Sequence, residues 1–597
     1  MDKQFNLLTI RKQFRYKNQG FTMKQNLGLD TETYKGYAKL ICSSDANYAF
    51  LENFSDVIKF LTQNKFRNKF NWFYNVRFDF EALIKYLDYG DLINLYNDKF
   101  TQVDNVIISY IPKKFFMITD SNNHRYRFYD MYNFLDTSLN NASKKFLHDE
   151  KLSIVDSSQL NTNLKYWEDN KDIIIKYCIK DAQLTKNLAD YFWSIVYKNM
   201  EYYPKSPYSK GRIAEEYFLA KCYIPTINKI LEENKKVLEY GYNSYYGGRF
   251  ELLQRGYQEK VYSYDISSAY PAQMTKLIDY NKGKWVKTKK VNADAYSGFY
   301  KCICECNNAY FSPFVQKVNA LSVYPNGKMS MYLAKSEIDF IQAHFDNAAI
   351  KIVSGYEFYE KELVYPLKEE MERLYRWKEN EPDENIKYCV KIFMNSFYGK
   401  LIQRAGDNNA TGKVFNPLWA AEITASARIK ILELGLQKPD CVIMFSTDSV
   451  HSTEPLSIKN NPTLGDFKKD FEGSGVYIMS DVYNLWNDKK QKSKIRGFSV
   501  AIEKDRKDEE VLLKDILKTS DEWKDKTKYQ YTTKRVYHLG ECILHNKSRK
   551  MEDMNMFDDV IKTVDINGDK KRLWDKEFLS GKDALKNTIL SMPLGVC

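Results

Sequence analysis

The feature that most restricts how this chain can fold recurs along it: short apolar runs with strand character that end in a carboxylate. Leu27-Gly28-Leu29 runs into Asp30-Thr31-Glu32. Tyr262-Ser263-Tyr264 ends at Asp265, and Val442-Ile443-Met444-Phe445 turns through Ser446-Thr447-Asp448 into a second strand. Side chains alternate across a strand, so Asp30 and Glu32 point to one face. Residues 24–190 read as alternating strands and helices, and a second mixed region runs from about 240 to 500. The fold class is therefore α/β and α+β, in a multidomain chain.

A length of 597 residues accommodates three to five domain-sized units. With 44% hydrophobic and 15% aromatic residues, the chain can bury large cores and is not a disordered protein. No apolar run approaches the ~18 residues of a membrane span. Met1–Arg15 lacks the shape of a signal peptide, so secretion and membrane insertion are not expected. The net charge of +12 is compatible with a polyanionic partner, although a solvated basic surface gives the same sum. Ten cysteines in a chain of this length suit a reducing compartment. Cys302, Cys304 and Cys306 alternate and have no fourth ligand at metal-site spacing, so they read as one face of a strand.

In the N-terminal third, Asp30 and Glu32 are joined by Asp79, within Asn75-Val76-Arg77-Phe78-Asp79, and by Tyr177 and Asp181, which share a helix face at i and i+4. Acids converging on one point repel unless they bind cations. The chemistry that uses such a set is two-metal phosphodiester hydrolysis, with Tyr177 placed to orient the attacking water. In this order the motifs resemble those of the 3′→5′ exonuclease domain of proofreading DNA polymerases. The resemblance implies that Asp30, Glu32, Asp79 and Asp181 hold metal and that Asn75 and Phe78 hold a frayed 3′ end. The single-strand-binding motif expected near Phe128-Tyr129-Asp130-Met131-Tyr132 departs from the family pattern and is not carried over.

A second set follows. Asp265-Ile266-Ser267-Ser268-Ala269-Tyr270-Pro271 reads as a strand ending at Asp265, then a tight turn closed by Pro271. Lys387, Lys391, Asn395 and Tyr398 fall within roughly 80° of arc on one helix face, a stripe suited to a nucleoside triphosphate. Residues 365–380 form its antiparallel partner helix, with the turn at Glu381-Pro382-Asp383. Asp448 closes the set. These segments resemble motifs A, B and C of family B DNA polymerases, with Ser446 standing where motif C usually has its first Asp. The resemblance implies that Asp265 and Asp448 bind the catalytic metals and that Tyr270 excludes a ribose 2′-hydroxyl. It also implies that Lys387, Lys391, Asn395 and Tyr398 contact the nucleotide. Tyr245, Gly247 and Gly248 match the Tyr-x-Gly-Gly element that contacts DNA. Thr424 and Arg428, at i and i+4, would hold template phosphates. The Lys-x-Tyr motif aligns with Asp481-Val482-Tyr483, which lacks its Lys, so only Tyr483 is carried over for DNA binding.

The motif order covers Asp30 to Asp448, and little chain precedes Asp30. The resemblance is to the small protein-primed branch of phages, adenoviruses and linear plasmids. It implies a ribonuclease-H-like exonuclease domain (1–195) and a right-hand polymerase. The polymerase comprises a linker and palm start (196–260), palm (261–290 and 418–490), an insertion between motifs A and B (291–360), fingers (361–402), a shortened second insertion (403–417) and a thumb (491–597). Expected cofactors are two Mg²⁺ per active site, with Mn²⁺ as a substitute. Expected partners are DNA template and primer, dNTPs, a separate terminal protein that supplies the priming hydroxyl, and a single-strand-binding protein or helicase. The enzyme would work inside the cell at the replicating genome, in host cytoplasm or in an organelle if plasmid-borne. Two alternatives stay open: a conventionally primed family B polymerase of a virus or mobile element, and a nuclease whose polymerase half only binds DNA.

Overall fold

A computed structural model describes residues 5–15, 24–318, 321–405, 409–495, 528–544, 551–565, 569–574 and 588–596. The N-terminal unit is built on an eight-stranded sheet. Its three central strands, Asn26–Tyr34, Phe70–Phe73 and Arg125–Asp130, run parallel, and antiparallel strands extend both edges. A parallel sheet needs cover on its faces. Here the 30-residue helix Lys171–Met200 lies across the first strand, and Ala182 and Lys186 approach the backbone of Gly28 so closely that a Cβ there would clash. This helix runs past residue 195, the expected domain limit, as far as Met200. Part of the expected linker is also helical: Ser209 accepts from the Arg212 N–H and starts the helix Lys210–Lys221.

The second unit is organised by a nine-stranded sheet. The 13-residue strand Gln254–Ile266 lies at its centre, between Phe467–Met479 and Ser449–Ser452, with Val442–Ser446 beyond. The strand continues one residue past Asp265. Pro271 lies within a short helix, Ala269–Met274, and does not close a turn. The missing proline N–H costs nothing in the first turn of a helix.

The stretch between motifs A and B supplies four strands of a separate five-stranded sheet, together with the helix Lys335–His344. It begins at Lys284–Thr288, ahead of the expected limit at 291. Cys302, Cys304 and Cys306 lie on one buried face of the strand Ser297–Cys306, and Met331 and Met329 pair with the first two from the next strand.

Two antiparallel helices, Lys368–Asn380 and Glu384–Ser396, follow. Asp383 accepts from the N–H groups of Asn385 and Ile386 and starts the second helix where the turn was expected. The short pair Arg404–Ala405 and Ala410–Thr411 is all the strand structure described in 403–417. The turn formers Gly406, Asp407 and Asn408 lie outside the described residues.

The described parts of 491–597 do not stand apart as one body. Lys528–Val536 and Phe557–Asp565 form a hairpin. Tyr537, Leu539, Cys542 and Met554 join the core of the N-terminal unit. Ile589–Pro593 pairs with the Asp265 strand, and Gly595–Val596 pairs with Asn326 and Gly327 of the insertion sheet. One hydrophobic core runs from Trp72 and Trp193 through Tyr217 and Phe393 to Trp419, so the two units share their packing. Among the described residues, no helix is long and apolar enough to cross a membrane.

Candidate active sites

In the N-terminal unit, the parallel strands bring Asp30 and Glu32 to the top of the sheet. Asp79 enters from the first turn of the helix Val76–Ile84. That helix starts at Asn75, which has a left-handed backbone (φ 68°) of the kind Asn tolerates. The Asn75 N–H donates to Asp130 Oδ1 at 2.9 Å, and the Tyr132 N–H donates to the same oxygen at 3.0 Å. The segment whose pattern departs from the family thus caps the Asp79 helix from below. Asp181 comes from the long helix, one turn after Tyr177. Glu32, Asp79 and Asp181 are buried and Asp30 is half-buried.

Burial drives every member of this set toward the protonated form, and the neighbouring carboxylates of the set add to it at Asp30 and Glu32. Asp30 is raised well above the carboxylate range, by burial and by Asp181, Glu32 and Asp79. Glu32 rises to about 8 through burial and Asp181, and Asp79 to about 7 mainly through burial. Two members have local partners: Thr31 Oγ1 donates to Asp79 Oδ1 at 2.7 Å, and Lys151 Nζ lies 2.5 Å from Asp181 Oδ2. The other Asp181 oxygen, Oδ1, is buried with no hydrogen-bond partner. A buried acid set, crowded at Asp30 and Glu32 and with an orphaned carboxylate oxygen on Asp181, fits hard divalent cations with oxygen ligands. The nearby Cys178 thiol donates to the Asp30 carbonyl at 3.5 Å, a packing contact on the helix side. Phe78 meets the ring of Phe557 from the C-terminal hairpin at 5.8 Å, and Asn75 is exposed.

In the second unit, Asp265 stands opposite Ser449 in the sheet, and the Ile266 N–H donates to the Asp448 carbonyl at 2.8 Å. Asp448 follows a tight turn in which its N–H reaches back to Ser446 O at 2.6 Å. Thr447, at the centre, has φ 60°. A β-branched residue there costs about 1–3 kcal/mol, so the turn persists because its surroundings hold it. Those surroundings include Arg249 O, which accepts the Thr447 N–H, and Gly248, where a Cβ would lie 2.7 Å from Thr447 Cγ2. Asp265 and Asp448 are both raised by burial, and Asp448 additionally by Asp265.

The crevice over these acids is lined by Tyr270, Asn395, Tyr483 and five lysines: Lys378, Lys391, Lys468, Lys492 and Lys494. Cations ringing two acids suit a polyphosphate carrying divalent metal. Lys391 and Asn395 lie exposed on the face of the Glu384–Ser396 helix that looks into the crevice. Tyr398 begins a 3₁₀ turn just after it. Its ring lies 4.5 Å from that of Tyr270, and its hydroxyl donates to Tyr245 Oη at 2.8 Å.

The sequence profile described as DNA polymerase type B, organellar and viral, matches residues 148–409. The DNA polymerase of Acidianus bottle-shaped virus is 31% identical over 281 residues, which cover 43% of this chain and 40% of that protein. The DNA polymerase of Bacillus phage Nf is 24% identical over 264 residues, covering 38% and 45%. The matched stretches therefore span less than half the length of these relatives. Phi29 DNA polymerase, solved with primer-template DNA and incoming nucleotide, superposes with a TM-score of 0.62 at 14% identity, over 91% of this chain and 100% of that one. Over residues 148–409 the chain is thus similar to type B DNA polymerases of organelles and viruses, and its fold is that of the phi29 polymerase.

Against that family pattern, four positions differ from the sequence expectation. Lys387 lies outside the crevice and pairs with Glu384 at 2.6 Å. Thr424 is fully buried, and its hydroxyl donates to the carbonyls of Ala420 and Ala421 in its own helix, so it does not face a phosphate. Arg428 is buried too. It pairs with Glu337 at 2.6 Å and donates to Gly247 O. Arg428 therefore fixes the Tyr-x-Gly-Gly loop against the insertion helix, and breaking such a buried pair costs about 3–5 kcal/mol. Tyr483 is buried beside His451 and Tyr477, with only its edge on the crevice.

Sequence reasoning missed two lysines. Lys378 reaches from the Lys368–Asn380 helix to Ser268 Oγ at 2.9 Å and lines the crevice. Lys151 pairs with Asp181 and lies over the Tyr177 ring at 5.0 Å. Lys378 stands in the charged helix already read as the partner of motif B, a signal that could have been used. Nothing in the local sequence singles out Lys151.

Proposed function

We propose that this chain is a template-directed DNA polymerase with a 3′→5′ proofreading exonuclease, which replicates a viral or linear mobile-element genome from a protein primer. The observation that supports this best is the presence of two separate acid centres on one phi29-like fold, Asp265 with Asp448 and Asp30 with Glu32, Asp79 and Asp181. The substrates are primer-template DNA and dNTPs, and the metal is Mg²⁺, with Mn²⁺ able to replace it.

At the polymerase centre, Asp265 and Asp448 would hold divalent cations, which would supply Lewis-acid activation of the attacking hydroxyl and charge compensation for the leaving pyrophosphate. Lys391 and Lys378 receive the triphosphate from the two helices, and Asn395 lies beside Lys391 on the same face. The Tyr270 ring, backed by Tyr398 and through it by Tyr245, occupies the wall where a 2′-hydroxyl would sit. Sequence-independent grip on DNA falls to the basic crevice and to Tyr245-Tyr246-Gly247-Gly248, held by Arg428. At the exonuclease centre, Asp30, Glu32, Asp79 and Asp181 would hold the cations, Tyr177 would orient water, and Lys151 positions Asp181.

The priming hydroxyl comes from a separate terminal protein, in keeping with the resemblance to the protein-primed branch and with the insertion sheet between motifs A and B. The test is incubation of the purified chain with a candidate terminal protein, template and labelled dNTP. Label covalently joined to protein supports protein priming. Extension of only a nucleic-acid primer favours conventional priming.

A further inference from the structure

Two departures from the family pattern, far apart in the sequence, meet in the structure. Position 446 carries Ser where motif C has an acid, and position 481 carries Asp where the Lys-x-Tyr motif has a base. Ser446 ends the strand Val442–Ser446, directly before the strained Thr447-Asp448 turn. Asp481 lies in the turn between the strands Phe467–Met479 and Val482–Trp486, with φ 60°, and is 5% exposed. Ser446 Oγ donates to Asp481 Oδ1 at 2.9 Å. Lys494 Nζ, from the next strand, lies 2.8 Å from the same oxygen. The Asp481 turn is tied down by Ser480, whose N–H and hydroxyl both donate to Asp569 Oδ2, at 3.0 and 2.6 Å. Ser446 and Lys494 line the polymerase crevice, while Asp481 stands behind them.

The first departure removes a negative charge next to the catalytic acids, and the second turns a positive charge into a negative one. The two positions then carry −1, which Lys494 balances. The family pattern places one acid and one base at these two positions; here the acid stands at 481 and its base, Lys494, comes from the adjoining strand, with a hydroxyl at 446. We propose that Asp481 is a positioning residue for the polymerase reaction, supplying behind position 446 the carboxylate that motif C lacks. It holds Ser446 and so the turn that presents Asp448, and it neutralises Lys494, whose charge would otherwise oppose metal binding at Asp265 and Asp448. This rests on the polymerase reading above, and it predicts that restoring the family residue at 446 harms the enzyme. Ser446→Asp puts two carboxylates at hydrogen-bond distance, with a single lysine to offset them.

The test is a charge-relocation cycle on the full chain: Ser446→Asp, Asp481→Asn and the double variant. Asp481→Asn keeps the shape and an acceptor for Ser446 but leaves Lys494 uncompensated. Each single substitution should lower incorporation by ~10-fold or more, the usual effect of losing a partner behind a metal ligand. Asp481→Asn should also raise the Mg²⁺ concentration needed for half-maximal rate. The double variant, with the acid moved to 446 and Lys494 retained, should recover most of the loss. Degradation of single strands at the distant exonuclease centre should stay at the parent rate throughout, which reports folding. A second readout does not need turnover: Mn²⁺ binding followed by electron paramagnetic resonance, with Asp30→Ala and Glu32→Ala added to silence the other site. Binding should weaken in Asp481→Asn, tighten in Ser446→Asp and return in the double variant. If the parent chain binds Mn²⁺ with this pattern yet incorporates nothing, the polymerase reading fails and the charge relocation stands. A double variant no better than its worse single in both readouts, or singles equal to the parent, overturns the proposal.

Discussion

The ring of Tyr270 packs 4.5 Å from that of Tyr398, so a residue of motif A is braced by one of motif B across the nucleotide crevice. Because Tyr398 in turn donates to Tyr245, the wall cannot yield simply by rotation of Tyr270. Replacing Tyr270 with Val should open space for a ribose hydroxyl and reduce discrimination between dNTP and rNTP by on the order of tenfold or more. The ratio of the two kcat/KM values measures it, and an unchanged ratio would count against a steric gate here.

The N-terminal acid set makes a different prediction, about pH. Glu32 is pushed to about 8 and Asp79 to about 7, chiefly by burial. Between the ordinary carboxylate range and pH 8, the folded chain therefore keeps protons that the unfolded chain has lost. Stability falls as pH rises wherever the native state binds more protons, so in chelator the protein should lose stability from about pH 5 to pH 8. Mg²⁺, by replacing those protons, should raise Tm by about 2 °C or more at pH 8 and by less at pH 5.5. Differential scanning fluorimetry with and without chelator checks this. The contrast should shrink in the Asp30→Ala, Glu32→Ala variant, and a metal effect equal at both pH values would contradict it.

Lys151 pairs with Asp181 and covers Tyr177, so it acts on the same centre from outside the acid set. Lys151→Ala should slow single-strand degradation by roughly 10–100-fold, as loss of a partner behind a metal ligand does. Incorporation should be untouched. A parent-like degradation rate would make the contact merely structural.

The parts of this architecture that could be read from the sequence are those in which chemistry and periodicity coincide locally. Asp30 and Glu32 alternate on one strand, Lys391 and Asn395 share a helix face, and Asp448 sits in a strand-turn-strand. Each is a property of fewer than a dozen consecutive residues. What could not be read depends on tertiary contact. Asp481 gains its meaning from Ser446, Lys151 from Asp181, and Arg428 from Glu337 and Gly247, all pairs distant in the chain. Thr424 and Arg428 sit on one helix face as expected. The insertion helix covers Arg428, and the Thr424 hydroxyl turns back to its own backbone. The C-terminal strand Ile589–Pro593 joins the Asp265 sheet through a pairing that no local pattern announces.

The short pair Arg404–Ala405 with Ala410–Thr411 is held to the N-terminal segment, where the Thr411 N–H donates to Thr9 O at 3.0 Å. Tied down and brief, it has little reach to encircle DNA, so grip must come from phosphate contacts. Unaided strand displacement should be weaker than in relatives with a long second insertion, and binding more salt-sensitive. Product length on a primed single-stranded circle, under single-binding conditions with and without a helicase or single-strand-binding protein, gives the answer. Kilobase displacement by the chain alone would show that another element supplies the clamp.

Two independent acid centres are proposed to carry two reactions on one chain. The most direct measurement compares Asp265→Ala with the Asp30→Ala, Glu32→Ala double variant, on one primed template and one single strand. Loss of polymerase or exonuclease metal ligands should exceed the ~10–100-fold expected for residues behind them. Asp265→Ala should abolish nucleotide incorporation and still degrade single strands at the parent rate, while the double variant should do the reverse and extend mismatched ends. Substantial incorporation by Asp265→Ala, or mismatch trimming at the parent rate by the double variant, would contradict it.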